Sequence, residues 1–314
     1  MSKADNQIIV PPKKELVKST LSSYVGWHKN IPNDEYHGGP GTSSTQVKTM
    51  IEQTGAHFDY NKKNHVNKDT DTKALGTCFH TLTLEPEMFD KDIAVRPAAI
   101  KQRRGKDWEA FKLDAGDRAI VTEDQYLAAK TMAHNVREHP FAGPLVRDIV
   151  KESSIYWWYK NPRAYDDEDT THYKELLKVR PDALSLSHPL VVDLKSTVDG
   201  SFTGFMKQIM NYYYHVSGAM YMDGANQCEE LLREMGHHAF VAFIFVVCEN
   251  FPPYEVSVYK LSDMDRQRGS ELYHRSIRKL HEARELDWPG YNHREDFGIR
   301  DTELPPWSDR GHYV

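Results

Sequence analysis

"KVRPDALSLSHPLVVDLKST", residues 178–197, is the stretch whose reading decides the fold. It reads as two short strands joined by a turn. The second, "PLVVDL", is apolar until Asp193, and a single residue separates Asp193 from Lys195. Asp182 follows Pro181 and stands eleven positions before Asp193. That spacing suits a strand, a turn and a returning strand, which brings the two carboxylates together. Side chains alternate along a strand, so Asp193 and Lys195 point to the same face. Two converging carboxylates suit magnesium, a hard cation that takes oxygen ligands and is usually held by one or two carboxylates. The carbonyl of Leu194 offers a third oxygen. Lys195 then stands beside the ion, where an ammonium orients a water, helps lower its pKa and stabilises charge on a phosphate. The structural alternative is a surface hairpin with an ordinary Asp–Lys pair. The coincidence of Pro-Asp at a strand end, a mostly apolar second strand and D-x-K at its end favours the site.

Working outward, the totals set limits. The chain has 314 residues, 39% apolar and 27% charged, which fits a globular protein with a sizeable core. Forty basic against forty-six acidic residues give a formal charge of −6, the wrong sign for a protein that simply coats DNA. Cys78, Cys228 and Cys248 are scattered and form no C-x-x-C pair, so neither a disulfide framework nor a zinc or iron–sulfur site is suggested. No apolar run reaches the length of a membrane helix, and the first residues lack the apolar block of a signal peptide. A cytosolic protein with no membrane partner is expected.

The patterns along the chain predict an α/β protein of mixed α+β type. Its centre is a mixed β-sheet flanked by helices, with an N-terminal helical elaboration. One domain is expected over residues 1–314, with 1–30 a flexible arm and 287–314 an irregular tail. "NDEYHGGPGTSSTQVKTMIEQ" runs from a Gly/Pro turn into a helix, with Ser43 and Gln46 forming a capping box. Residues 56–72 are polar and read as a loop. Helices are expected from about Lys73 through "ALGTCFHTLTLE", over 106–115 and over 123–150. "SSIYWWYK", "YKELLKVRPDAL" and "LVVDLKS" read as strands. Residues 202–222 return to helix, with Tyr214, Gly218 and Tyr221 along one stripe, and a second helix covers roughly 225–235. "AFVAFIFVVCE" is a continuous apolar run and belongs in the interior of a sheet, with "YEVSVYKL" beside it. A long polar helix follows over about 262–285.

Three further groups carry chemistry. His80 lies in the apolar helix "GTCFHTLTLEPE". A lone His there is more often a core residue, but with the carboxylates downstream it is a candidate for binding or orienting a second metal. Glu85, five residues later, is offset by about 140° on a helix of 3.6 residues per turn. Ser43, Ser44 and Thr45 open a helix whose free amides and positive dipole end suit an anion, such as a terminal DNA phosphate; a plain helix cap explains them equally well. "RPAAIKQRRGK", residues 96–106, holds five basic residues and no acidic one, and Arg103, Arg104 and Lys106 are candidates for phosphate contact. A solvated loop is the commoner fate of such a run.

Pro181-Asp182 … Asp193-Leu194-Lys195 is the PD-(D/E)-x-K nuclease pattern. The chain resembles the exonuclease VIII family, the RecE-type phage and prophage nucleases of that superfamily. The resemblance runs from about Asn33 to Trp307. It rests on "NDEYHGGPGTSSTQVK", "ALGTCFHTLTLEPEMFD", "GKDWEAF", "KVRPDAL", "VVDLKST", "YYYHVSGAMYMDG", "WPGY" and "LPPW" in that order. It implies a magnesium- or manganese-dependent exonuclease, with two ions per active site. Such an enzyme digests linear double-stranded DNA from the 5′ end and leaves a 3′ single strand for a single-strand annealing recombinase. It also implies a homo-oligomeric ring, tetrameric or trimeric, whose basic inner wall coexists with an acidic exterior. Carried over by motif, His80, Asp182 and Asp193 hold metal, Leu194 offers its carbonyl and Lys195 is the catalytic lysine. The family helix usually carries Gln four residues before a Tyr. Here Ser217 stands there, and Tyr221 is retained as a catalytic-site candidate, with core packing as the alternative. Two rivals are a DNA-binding recombination scaffold with an inactive nuclease fold and an endonuclease of the same superfamily. The cysteine-cluster branch of the superfamily does not fit.

Overall fold

The computed structural model describes residues 21–29, 31–64, 70–151, 153–160 and 174–291. Strand β1 (Gly26–His28) precedes helix α1 (Asn33–Gly38), the two-residue strand β2 (Thr42–Ser43), α2 (Ser44–Glu52) and α3 (Gly55–Lys63). Next come α4 (Asp71–Leu84), α5 (Phe89–Asp92), β3 (Ile93–Arg96), α6 (Lys106–Ala115), β4 (Ala119–Thr122), α7 (Glu123–Glu138) and α8 (Ala142–Leu145). The strands β5 (Ile149–Lys151), β6 (Ser154–Trp158), β7 (Leu176–Val179), β8 (Ala183–Ser185) and β9 (Leu190–Thr197) follow. Then come α9 (Phe202–Asn211), α10 (Tyr214–Gln227), α11 (Glu229–Met235), β10 (Ala242–Glu249), β11 (Val256–Lys260) and α12 (Asp263–Glu285).

Two sheets carry the architecture. One runs β1-β6-β7-β2 and the other β11-β10-β9-β8-β5, with β3 and β4 as a separate parallel pair. The fold class is therefore the expected one, a mixed sheet between helices. The apolar run 242–249 forms β10, parallel to β9 and antiparallel to β11, because a strand covered on both faces needs apolar residues at every position. One face of this sheet packs Phe243, Phe245 and Val247 against Phe205, Val216 and Met220 of α9 and α10. The other packs Val192, Leu194 and Val246 against Cys78, Phe79 and Met132 of α4 and α7. Helix α10 also touches β6 and β7, so it lies between the two sheets. Its last turn is tied to the start of β10 by Asn226, whose amide donates to Phe240 O (3.1 Å) and accepts from Phe240 N (2.7 Å).

Several local expectations are corrected. Residues 55–63 are helical, not loop. Phe58 is buried and stacks on Trp288 at 5.6 Å, so one aromatic anchor suffices for a helix with polar flanks. The helix expected over 123–150 ends at Glu138, because His139 precedes Pro140 and is pushed out of the helical region; Ile149–Lys151 then forms β5 against β8. "YKELLKVRPDAL" is not one strand: β7 and β8 belong to different sheets. The 202–222 helix breaks at Tyr212 and Tyr213, where Tyr213 adopts a left-handed φ of 52°. Within the expected N-terminal arm, residues 26–28 pair with β6; residues 1–20, and the "LPPW" segment, lie outside the described residues. The three cysteines are free and buried. Among the described residues no helix is long and apolar enough to cross a membrane.

Candidate active site

The site forms where the chain passes from one sheet to the other. Residues 180–182 make that crossing, and Arg180 fastens it. Its Nε and Nη2 donate to Ser154 Oγ at 3.0 and 2.7 Å, Nη2 also donates to Ile31 O at 2.7 Å, and the guanidinium lies 4.2 Å from the Tyr36 ring centre. Pro181 fixes its own φ and offers no amide donor, so the chain leaves β7 in a set direction. In the β8–β9 hairpin Ala183 pairs with Val192 and Leu184 with Val191. One further step in that register sets Asp182 opposite Asp193, and directly opposed residues share a face. The ladder nevertheless ends at Ala183. The Leu194 amide donates instead to Asp182 Oδ2 at 2.7 Å, so the carboxylate replaces the acceptor that the departing chain withdraws.

Asp193 is 5% exposed and forms an ion pair with Lys195, whose Nζ also lies 3.5 Å from Leu194 O. Burial pushes the Asp193 carboxyl above its usual range; the Lys195 charge acts the other way, and Asp182 adds to the rise. Burial also works against the Lys195 ammonium, but Asp193 and then Asp182 outweigh it and hold its pKa above that of an ordinary lysine. Lys195 is thus a fixed cation at neutral pH. His80 approaches from α4, which covers the opposite face of the sheet, and its Nδ1 lies 3.7 Å from Asp182 Oδ2. The two faces meet here because β8 and β9 part at Asp182. The structure therefore brings together His80, Asp182, Asp193, Leu194 and Lys195.

Around this group stand Tyr221, Ser44, Tyr214 and Lys48. Burial first, then Tyr36, Asp193 and Asp182, hold the Tyr221 phenol far above its normal pKa, while a hydrogen bond with Ser44 opposes this. Tyr221 is consequently a neutral hydroxyl, and its ring packs edge-on to Phe243 at 6.1 Å. Lys195 Nζ lies 5.3 Å and Lys48 Nζ 5.5 Å from the centre of one ring, that of Tyr214. Burial, followed by repulsion from Lys195, lowers the Lys48 pKa to about 8, against the pull of Asp193.

Of the helix-opening residues, Ser43 is the N-cap. Its Oγ accepts from Gln46 N at 3.4 Å, and Gln46 Oε1 accepts from Ser43 N at 2.8 Å. Ser44 is buried against Tyr221, and Thr45 is exposed. The basic run lies elsewhere. Arg103 pairs with Asp71, its guanidinium 5.9 Å from the Trp108 ring, and Arg104 Nε donates to Gln102 at 2.5 Å. Lys106 is exposed at the start of α6. Asp71 opens α4, and at 1.5 Å per residue it stands about 14 Å along the helix from His80. Glu85 caps α4 at its far end; burial raises its pKa, with Lys151 and Arg180 opposing.

The donor set suits a hard divalent cation. Two carboxylates, a backbone carbonyl and an imidazole fit magnesium or manganese, with waters completing the shell. Among the described residues no three His, Cys, Asp or Glu side chains are placed to hold one metal ion together. Magnesium does not need three, because it keeps several waters.

Lys48, which shares the Tyr214 ring with Lys195, is a residue beside the site that sequence reasoning did not single out. The available signal was the four-residue step from Ser44 to Lys48, which places both on one face of α2.

A mixed sheet that parts at Pro-Asp and carries D-x-K on the adjacent strand defines the PD-(D/E)-x-K nuclease fold. The chain belongs to one family within it: residues 43–294 match the "PDDEXK-like domain of unknown function (DUF3799)". No curated protein sequence matches the chain. Among solved structures, a "Putative exonuclease" from Eubacterium rectale aligns over 91% of this chain and 97% of its own, at TM-score 0.54 and 11% identity, a likeness of fold. SSO0001 aligns over 74% and 84% at TM-score 0.27 and 12% identity, too weak to carry weight.

Proposed function

We propose that the chain is a metal-dependent exodeoxyribonuclease. It acts on the ends of linear double-stranded DNA, degrades from 5′ to 3′ and leaves 3′ overhangs for an annealing partner. The observation that carries the reading is the β8–β9 register, which sets Asp182 across from Asp193 with Lys195 on the same face. Polarity, the annealing recombinase, a cytosolic setting and a ring assembly rest on the resemblance to the exonuclease VIII family. End dependence also draws support from the exonuclease named in the structural comparison.

Asp182, Asp193 and the Leu194 carbonyl would hold magnesium or manganese, and His80 a second ion position. A bound ion there supplies Lewis-acid activation of the phosphate and a lowered pKa for the attacking water. Lys195, kept charged by Asp193, orients that water and stabilises the negative charge that grows on the phosphate. Tyr221 stays protonated and serves as a hydrogen-bonding wall, not as a base. His80→Ala is expected to lower the rate at least about 10- to 100-fold, the cost of losing even a group that only supports a metal site. An unchanged rate removes His80 from the site.

The test is digestion of linear duplex DNA labelled at either end, with magnesium and with EDTA, beside a covalently closed plasmid. Magnesium-dependent release from the 5′-labelled end, with the plasmid intact, is the expected result. Cutting of the plasmid makes the chain an endonuclease. No hydrolysis at all leaves a DNA-binding protein with an inactive nuclease fold.

A further inference from the structure

We infer that Lys48 is a substrate-binding residue that grips a phosphate of the bound DNA strand beside the one under attack. The inference rests on the DNA reading above and assigns a residue outside the D-x-K constellation. Lys48 is half-buried on α2, a helix fixed at its start by the capping box and packed on α10 and α12. Its ammonium shares the Tyr214 ring with Lys195. Among the described residues no carboxylate lies within ion-pair distance of it, although a buried ammonium is costly unless paired. The negative group that acts on it is Asp193, which is already paired with Lys195.

A purely structural lysine does not need this position. A methionine would cover the Tyr214 ring without the penalty of a buried charge. The position makes sense when an anion completes it. In formal charge, Asp182 and Asp193 cancel Lys48 and Lys195, so any divalent ion held by the carboxylates leaves the pocket net positive, ready for phosphate. Lys195 is held by Asp193 at the phosphate under attack, and Lys48 is the cation available for the phosphate beside it. Its lowered pKa agrees, because a charge held in a desolvated place is stabilised most by an incoming anion.

The test uses the full chain with calcium in place of magnesium, so that the carboxylates are offered a hard divalent ion, and fluorescence anisotropy with a duplex end. A neutral methylphosphonate is placed in turn at each of the first few phosphates of one strand. Lys48→Met is expected to bind native DNA about 10- to 100-fold more weakly. Its dependence of log affinity on log salt should be shallower by about one. One methylphosphonate position should weaken the wild type but not Lys48→Met, and Lys48→Arg should restore both affinity and slope. Thermal melts confirm that both variants fold. Equal affinity and slope for Lys48→Met and wild type overturn the assignment, as does a Lys48→Met chain that remains sensitive to every position. A wild type that binds through Lys48 yet never cuts DNA sinks the nuclease reading and leaves this one standing. A wild type that binds no DNA end overturns both.

Discussion

Asp193→Asn is expected to reduce DNA hydrolysis by about a hundred- to a thousandfold, the scale set by removing one preorganised electrostatic group from an active site. The side chain keeps its shape and loses its charge, and two functions go with that charge. A neutral amide is a poor ligand for a hard cation, so the oxygen set around Asp182 and Leu194 is reduced. Lys195 also loses its closest counter-charge. Its pKa, now held high by Asp193 and then Asp182, falls as burial acts with less opposition. Stability should suffer less than activity. Breaking a fully buried pair costs about 3–5 kcal/mol, but the Lys195 side chain is 24% exposed and retains the charge of Asp182, so the loss should stay below that range. End-label release and a thermal melt on the same preparation separate the two effects. Wild-type hydrolysis by Asp193→Asn refutes the assignment.

Gly269→Ala is expected to be the most damaging small substitution away from the site. A Cβ at position 269 would stand 2.2 Å from the carbonyl oxygen of His215 and 2.6 Å from its carbon. Both atoms are backbone, so no side chain can swing aside. Helix α12 must lift from α10, and the apolar contact through Tyr273 and Ile277 is strained along its length. Overpacking of a core typically costs about 1–3 kcal/mol, and a backbone-to-backbone clash belongs at or above the upper end. The melting temperature should fall by several degrees. Activity should fall as well, because His215 directly follows Tyr214, the ring that carries Lys48 and Lys195. A variant with the wild-type melting temperature contradicts this packing.

The central constellation was legible because its information is local. Strand alternation and an eleven-residue interval are enough to put Asp182, Asp193 and Lys195 together, and the observed register agrees. The apolar run of β10 and the capping box at Ser43 and Gln46 were readable for the same reason. What the sequence hid depends on distant partners. That β7 and β8 enter different sheets follows from Arg180 reaching Ser154 and Ile31. The helix over 55–63 depends on Trp288 receiving Phe58. Arg103 looked free for phosphate in the basic run, but Asp71, far back in the chain, pairs with it. A serine-rich helix start reads alike for a cap and for an anion site, and here the cap accounts for Ser43. Lys48 carries no motif. Only the packing of α2 on α10 brings it to Tyr214.

The most direct measurement is anomalous diffraction from crystals soaked in manganese. The account predicts a peak about 2 Å from carboxylate oxygens of both Asp182 and Asp193, within reach of the Leu194 carbonyl, with Lys195 Nζ close by. Manganese bound elsewhere, with the two carboxylates left without a peak between them, contradicts it.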